Sequence, residues 1–236
     1  MIASPETTIG EIAARFPQTH RVFHRLRIEF CCDGHRPLAD VCRERDLSFD
    51  ELAASLIAAV ASPLPVRHDW AVRPLAELTA HIVEGFHEPL RQELPRLRRM
   101  AAKVQHHSEP SQYVLAVVLY EVERFSVELG PHMAATEGEL YPLIGRLEAG
   151  SPREGDGAHF DQLRAALESD HAGAGQALRI LRKVTGRYEP PASACATLRD
   201  LYRGLKDLEQ LTQLHVHLEN NALFPRAAAL VRAAGL

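Results

Sequence analysis

A histidine and a glutamate lie four residues apart in the stretch HVHLENNALFP, residues 215–225. Four residues along an α-helix bring a side chain back to within about 40° of its starting direction, so His215 and Glu219 point at the same place. The flanking leucines put both groups on the inward face of the predicted helix, where unpaired polar groups are costly. The pair therefore predicts a metal site inside a helical protein.

Three further histidines extend this pattern along the chain. His87, His132 and His171 each lie in a separate long amphipathic segment. A four-helix bundle builds a non-haem iron site in its core from histidines and carboxylates on facing helices. Imidazole together with carboxylate suits iron or manganese, whereas a structural zinc site more often recruits cysteine. The spacing thus predicts a bundle metalloprotein.

Apolar periodicity predicts an all-α fold. Helical spacing continues through four long segments separated by short breaks rich in Gly, Pro or Ser, which favours an up-down-up-down four-helix bundle. Those segments are approximately residues 74–104, 112–148, 158–187 and 194–222. We expect three parts: a small helical domain at 1–61, a linker at 62–73 and the bundle at 74–236.

Composition narrows the class of protein. The chain has 236 residues, 46% of them hydrophobic and 25% charged, which is ordinary for a globular protein in water. A net charge of −4 without a basic stripe argues against nucleic-acid binding, and no apolar run approaches the roughly 20 residues that cross a bilayer. The first residues do not resemble a signal peptide. We therefore expect a cytoplasmic protein with reduced cysteines.

Two other histidines compete with this set. His81 is six residues from His87, about 120° around a helix, so both cannot face one metal. His217 is two residues from His215 and points elsewhere. The remaining histidines lie near ends, linkers or loops, where a solvated surface side chain or a hydrogen-bonded core side chain is the simpler interpretation.

A double cysteine begins a resemblance that covers nearly the whole chain. The segment FCCDG, residues 30–34, resembles the N-terminal domain of the Repair of Iron Centres family (ScdA/YtfE type). Four later segments resemble the four bundle helices of that family in the same order; they surround His87, His132, His171 and His215. The resemblance selects His87 over His81.

The resemblance implies a hemerythrin-like bundle with a di-iron centre that restores iron–sulfur clusters damaged by nitric oxide or peroxide. The terminal imidazoles would come from His87, His132, His171 and His215. Glu219 would be a bridging carboxylate.

One position departs from the family pattern. The second bridging glutamate of the family falls on Thr136 here, and the neighbouring residue is Glu137. On a regular helix Glu137 lies about 140° from His132, which would miss the metal. A π-bulge, encouraged by the helix disturbance expected at Pro131, would return Glu137 to the site. Glu128, a solvent bridge, or a weakened site with one protein carboxylate remain the alternatives.

The cysteine pair has two interpretations. An exposed thiol of Cys31 or Cys32 could take iron or sulfide, exchange disulfides or be nitrosylated, provided that its pKa is lowered. Alternatively, both side chains fill a tight turn. Two thiolates do not complete a tetrahedral metal site, so a client protein or a second copy of the chain, in a homodimer, would have to contribute. Cys42 and Cys195 are predicted to be packing residues.

The resemblance, together with these patterns, implies an iron-handling stress protein with two oxo- or hydroxo-bridged non-haem irons. Its partners would be damaged or apo iron–sulfur proteins, together with nitric oxide or oxygen species. Iron donation and nitric oxide binding or reduction both remain open, and with them the question of enzyme activity. The alternatives are a hemerythrin-like carrier or sensor of dioxygen or nitric oxide without turnover, and a structural protein that has lost its metal.

Overall fold

The chain folds into helices throughout the part that the computed structural model describes, which comprises residues 4–31, 33–61, 69–105 and 112–236. Within these ranges no β-strand occurs, and the one isolated β-bridge pairs Thr8 with Pro37. The all-α prediction is therefore confirmed. None of the described helices is long and apolar enough to cross a membrane.

Residues 4–61, the N-terminal module, contain four short helices in their described part. They are α1 (Ile9–Arg15), α2 (His20–Leu26), α3 (Leu38–Glu44) and α4 (Phe49–Val60). Thr8 starts α1 with a capping box, because its side chain accepts from the Glu11 amide while the Glu11 carboxylate accepts from the Thr8 amide. Apolar side chains such as Phe23 and Leu56 are fully buried and form the module's own core.

The bundle consists of four long helices in the described ranges, three of which are interrupted. Helix one is α5 (Leu75–Ile82) and α6 (Glu88–Val104), helix two is α7 (Gln112–Ala135) and α8 (Tyr141–Glu148), helix three is α9 (Asp156–Val184), and helix four is α10 (Ala196–Leu218) and α11 (Phe224–Ala233). Each helix packs against its neighbours in chain order, and helix four closes the ring on helix one. The predicted boundaries of the three parts remain a prediction, and residues 62–68 of the expected linker lie outside the described residues.

A π turn causes each interruption. The π turns of the described chain are Val83–His87, Thr136–Leu140 and Glu219–Leu223. In the last of them the Phe224 amide donates to the Glu219 carbonyl, five residues back, and Pro225 follows at once. Proline has no amide hydrogen and its ring clashes with the carbonyl four residues back, so the helix widens just before it. Pro89 and Pro142 stand in the same place after the other two turns.

Two details of the predicted helices are wrong. Helix four does not end near residue 222 but continues to Ala233, because the π turn accommodates Pro225 without ending the helix. The helix disturbance expected at Pro131 does not interrupt the helix either, since α7 runs through it to Ala135. Pro131 and Val127, four residues before it, are both exposed, so water can satisfy the carbonyl that lacks an amide donor.

Two apolar clusters fill the bundle, one towards each end. The first comes from α6, α7, α10 and the second half of α9; the other comes mainly from α5, α8, α11 and the first half of α9. His87 lies between Phe86 of the second cluster and Leu90 of the first, and His215 likewise between Leu208 and Leu218. The predicted histidines thus lie where the two clusters meet.

Candidate metal centre

Three histidines converge on one buried carboxylate. One ligand atom from each of His132, His171, His215 and Glu219 lies within 4.8 Å of the others, and all four residues are buried. The Oε2 atom of Glu219 is 2.9 Å from Nε2 of His171, 3.1 Å from Nε2 of His215 and 3.4 Å from Nε2 of His132. Helices two, three and four thus bring their predicted residues to one point.

The fourth predicted histidine completes the group from helix one. His87 is fully buried, and its Nε2 atom lies 3.1 Å from Nε2 of His215. The other carboxylate oxygen of Glu219, Oε1, accepts a 2.6 Å hydrogen bond from the hydroxyl of Tyr141. His81 instead stacks on Trp70, with ring centroids 4.8 Å apart.

Outer oxygen atoms orient these imidazoles. Acceptors face Nδ1 on three of them: Glu137 on His87 at 2.6 Å, Asn220 on His171 at 2.8 Å and Asp170 on His132 at a longer 3.5 Å. On His87 and His171 the close acceptor fixes the proton on Nδ1 and leaves the Nε2 lone pair for a metal, which is how metal-binding histidines are usually held.

Glu137 lies outside the group around Glu219 Oε2. A π turn is present, as the sequence argument required, but it begins at Thr136 and does not bring Glu137 to the other ligands. The Glu137 carboxylate accepts from Nδ1 of His87 and, at 2.5 Å, from Arg91. Partial burial opposes ionisation, but these two partners outweigh it and hold the Glu137 pKa below its usual value. Glu128, the other candidate, pairs with Arg124 at 3.1 Å.

The electrostatics of the centre favour bound positive charge. Burial disfavours ionisation of Glu219, but the surrounding imidazoles, His215 foremost, hold its pKa well below the usual value. Burial also disfavours protonation of His132, yet Asp170 and Glu219 raise its pKa to about 9. For His215 burial prevails over Glu219 and lowers the pKa to about 4. Glu219 is therefore an anion inside a sealed site, and His215 is neutral.

The residues present fit a metal ion. Both ring nitrogens of His132 and the Nδ1 atom of His215 are buried and lack a hydrogen bond of normal geometry to any described residue. Such orphaned atoms are rare in folded proteins unless a ligand satisfies them. Imidazole and carboxylate together suit iron. His132 and His171 would hold a metal on the Oε2 side of Glu219, and His215 and His87 lie next to them.

The cysteine turn packs against the same region. Cys31 is buried with 5% of its surface exposed, so its thiol does not have the exposure that the sequence argument required. Its carbonyl accepts from the side-chain amides of Asn221, at 3.0 Å, and Asn220, at 3.5 Å. Cys32 lies outside the described residues. Thiol chemistry at Cys31 would therefore require this turn to open.

Asn221 fills a slot between two glycines of the N-terminal module. A Cβ atom on Gly10 would lie 2.3 Å from the Asn221 Oδ1 atom, and one on Gly34 would lie 2.0 Å from it. Both distances are too short for any larger residue. Only glycine at both positions lets the module sit directly on the π turn that carries Glu219.

A second pair of histidines supports this docking. His217, fully buried, meets the ring of His20 at 5.0 Å and that of Phe30 at 5.3 Å. Burial lowers the pKa of His217 to about 3 and that of His20 to about 4, the latter opposed by a hydrogen bond to the Ala13 carbonyl. Both are therefore neutral packing groups. His217 points away from the metal centre, and His20 is a hydrogen-bonded packing residue, the second of the two interpretations that its position allowed.

Several functional residues were not found from the sequence. They are Tyr141, Asp170 and Asn220. Tyrosine, aspartate and asparagine are common in helices, and these three reach the centre only through the packing of the folded protein. The sequence could have pointed to Asn220, because this residue directly follows Glu219.

The two cysteines predicted to be packing residues do pack: among the described residues, Cys42 is buried in the module core and Cys195 lies partly buried against the first bundle cluster.

Comparison with known proteins now identifies the family. Residues 78–227 match the hemerythrin HHE cation binding domain, and residues 5–60 match ScdA_N, a domain of unknown function (DUF542). The chain is 35% identical to the iron-sulfur cluster repair protein YtfE of Pectobacterium atrosepticum, over 96% of this chain and 98% of that protein. It belongs to the Repair of Iron Centres family.

Other relatives carry the same name. The iron-sulfur cluster repair protein YtfE of Cronobacter sakazakii is 32% identical, and that of Escherichia coli 31% identical, each over 97% of this chain and 99% of the relative. The predicted family and hemerythrin-like fold are confirmed. Together with the buried histidine and glutamate group, a hemerythrin cation-binding domain indicates iron as the metal.

Proposed function

We propose that this chain is a di-iron protein that repairs iron–sulfur clusters damaged by nitrosative or oxidative stress. The observation that carries the proposal is the buried convergence of His132, His171 and His215 on Glu219, with His87 beside them. The relatives named iron-sulfur cluster repair protein support the choice of substrate. Damaged or apo iron–sulfur proteins would be the partners.

The two oxygens of Glu219 support two metal positions. Oε2 faces His171 and His132, while Oε1 faces the Tyr141 hydroxyl, and the Tyr141 ring stacks on His87 with centroids 6.1 Å apart. A carboxylate between two sets of donors is suited to bridging. Iron bound there would supply exchangeable iron to an apo-cluster and a place for nitric oxide to bind.

The chain's own residues prepare the site for small molecules. A cavity of about 20 Å³ lies beside His132, Asp170 and His171, and another of about 10 Å³ lies between His171 and Cys31. Each has room for about one water-sized molecule. Glu137 and Asn220 hold the imidazole protons at Nδ1, away from the metal side of the rings.

The position of Cys31 supports a part for the cysteine turn in iron transfer. Its residues border the same small cavity as His171 and are fixed by the π turn that follows Glu219. A thiolate is a natural ligand to receive or hand over cluster iron. Opening of the turn would expose Cys31 at the edge of the centre, so Cys31 and Cys32 are proposed as the transfer residues.

The test is reactivation of a nitric-oxide-damaged [4Fe–4S] enzyme by anaerobically loaded protein. We expect recovery with the loaded protein, little with the metal-free protein, and slower recovery with the Cys31→Ser, Cys32→Ser double variant, whose iron spectrum should be normal. Cys42→Ser, a change in the module core, is the matched control. Reversible binding of nitric oxide or dioxygen without any recovery would contradict repair and favour a carrier or sensor.

A further inference from the structure

Helices two and four carry the same sequence pattern at the metal centre. A histidine is followed after four residues by Thr136 or Glu219, and after a further five by Tyr141 or Phe224 and then proline. The π turns Thr136–Leu140 and Glu219–Leu223 fall at the same place in the two patterns. Residues 132–142 and 215–225 are therefore matching segments.

The structure gives matching residues matching tasks. Phe224 stacks on His171, with centroids 6.0 Å apart and planes 7° apart; Tyr141 stacks on His87 at 6.1 Å and 12°. The residue directly after Thr136 or Glu219 accepts from Nδ1 of the histidine on which the aromatic ring stacks. On helix four, Asn220 accepts from His171 in this way. Glu137, which accepts from His87, is thus the counterpart of Asn220 and not of Glu219.

The true counterpart of Glu219 is Thr136, whose hydroxyl contacts carbonyls of its own helix and also the Tyr141 hydroxyl. The Thr136 hydroxyl lies 3.2 Å from the His132 carbonyl and 3.0 Å from the Met133 carbonyl, and donates to these. The oxygen that reaches the centre from helix two belongs instead to Tyr141. Its hydroxyl lies 2.6 Å from Oε1 of Glu219, and the matching Phe224 has no oxygen to offer.

We propose that Tyr141 replaces the missing second carboxylate and binds ferric iron through its phenolate oxygen on the His87 side of Glu219. This inference rests on the proposed metal centre. On iron binding, the O–H bond of Tyr141 would break. A lone pair of the phenolate oxygen would then bind the iron, and the proton would pass to solvent. No electron is transferred in this step. Without metal, the hydrogen bond to Glu219 satisfies the buried hydroxyl.

The surroundings of Tyr141 explain why a metal is needed. The Tyr141 hydroxyl is buried and donates to Oε1 of Glu219 at 2.6 Å, so the metal-free phenol keeps its proton. A bound cation reverses that preference because its charge is the largest in the site. Phenolate is a hard anionic oxygen donor, as carboxylate is, so it can replace a glutamate as a ligand to iron.

The experiment is visible absorption and resonance Raman spectroscopy of the ferric protein. We expect a phenolate-to-iron charge-transfer band and phenolate ring modes in the wild type. Tyr141→Phe should lose both, while Tyr202→Phe, a change at a tyrosine buried in the first apolar cluster, should keep them. Iron titration should also release one more proton per chain from the wild type than from Tyr141→Phe.

The outcomes separate this inference from the proposed function. Circular dichroism of metal-free Tyr141→Phe should match the wild type, because phenylalanine occupies the matching position 224. An iron-loaded wild type without the band, or a band that survives Tyr141→Phe, would overturn the tyrosine ligand and leave the metal centre intact. A wild type that binds no iron would overturn the proposed function itself.

Discussion

Helix two and helix four approach the metal centre with the same backbone feature, a π turn, but with different side chains. Both place a π turn directly before a proline, and both stack an aromatic ring on a histidine of a neighbouring helix. Helix four offers the carboxylate of Glu219 where helix two offers Thr136. Two residues later, helix four holds the N-terminal module with Asn221, where helix two has the exposed Gly138. The π turn thus determines where side chains meet the centre, and the residue type at each position determines whether it can bind a metal.

The difference locates the linkage between the two parts of the protein. The turn that contains Glu219 also contains Asn220 and Asn221. Asn220 accepts from His171, and Asn221 donates to the Cys31 carbonyl in the cysteine turn. The matching turn on helix two instead pairs with residues of the bundle, Glu137 with Arg91 and Glu139 with His159. Helix four is therefore the element through which the N-terminal module and the metal centre influence each other, because both depend on one π turn.

The largest effect is expected from removing the carboxylate of helix four. Glu219→Ala should abolish iron binding, because the remaining imidazoles lose the anion on which they converge. Helicity by circular dichroism should stay near that of the wild type, since the apolar clusters are untouched. Glu84→Ala, at an exposed glutamate of the first π turn, is the matched control. Iron retained in Glu219→Ala, or loss of helicity in the metal-free wild type, would contradict the account.

Making helix two resemble helix four should have the next largest effect. Thr136→Glu should slow the release of iron to a chelator, because the centre gains a second carboxylate. The metal-free variant should lose roughly 1–3 kcal/mol of unfolding free energy, since a buried charge is added without a partner. Thr136→Gln separates added volume from added charge. Faster iron release from Thr136→Glu than from Thr136→Gln would argue against a metal at this position.

A smaller effect is expected from changing Glu137, the counterpart of Asn220 on helix two. Glu137→Gln keeps an acceptor on Nδ1 of His87 but removes its charge, so iron affinity should fall by roughly tenfold, the low end for such outer partners. Competition with a chelator measures the affinity. If Glu137 were itself a ligand, the variant would lose iron as completely as Glu219→Ala.

The same variant gives a pH dependence of known sign. The Glu137 pKa is held below its ordinary value of 4.5 in the folded state, so the ionised carboxylate stabilises the fold above that pH. This stability is lost as the pH falls through the lower folded value. In urea unfolding of metal-free protein, the advantage of the wild type over Glu137→Gln should shrink below pH 4.5. An advantage that grows on acidification would contradict the predicted direction.

The smallest effects concern module docking. Asn221→Ala removes hydrogen bonds to the carbonyls of Cys31 and Phe30. Loss of about 1.4 kcal/mol of docking energy would raise the labelling rate of the Cys31 thiol by roughly tenfold. Mass spectrometry after timed labelling resolves the individual cysteines. Gly138→Ala, the matching position on helix two, has no neighbour that a Cβ would meet and should change nothing. Equal rates in the two variants would contradict docking through Asn221.

Local spacing explains how much could be predicted from the sequence. His215 and Glu219 share a helix face whatever the rest of the chain does, and amphipathic periodicity predicted the helix ends to within a few residues, except for the C-terminal end of helix four. The position of Glu137 could not be predicted, because the sequence left a regular helix and a π-bulge both open and did not suggest the comparison with Asn220. For Cys31 and His20 the sequence left a packed and an exposed interpretation open, because the packing of both depends on contacts between parts that are distant in sequence.

Iron analysis with Mössbauer spectroscopy of protein purified without oxygen tests the central claim most directly. The account predicts two irons per chain in two different environments, because Glu219 faces imidazoles alone on one side and His87 with Tyr141 on the other. A single iron per chain, or zinc in its place, would contradict it.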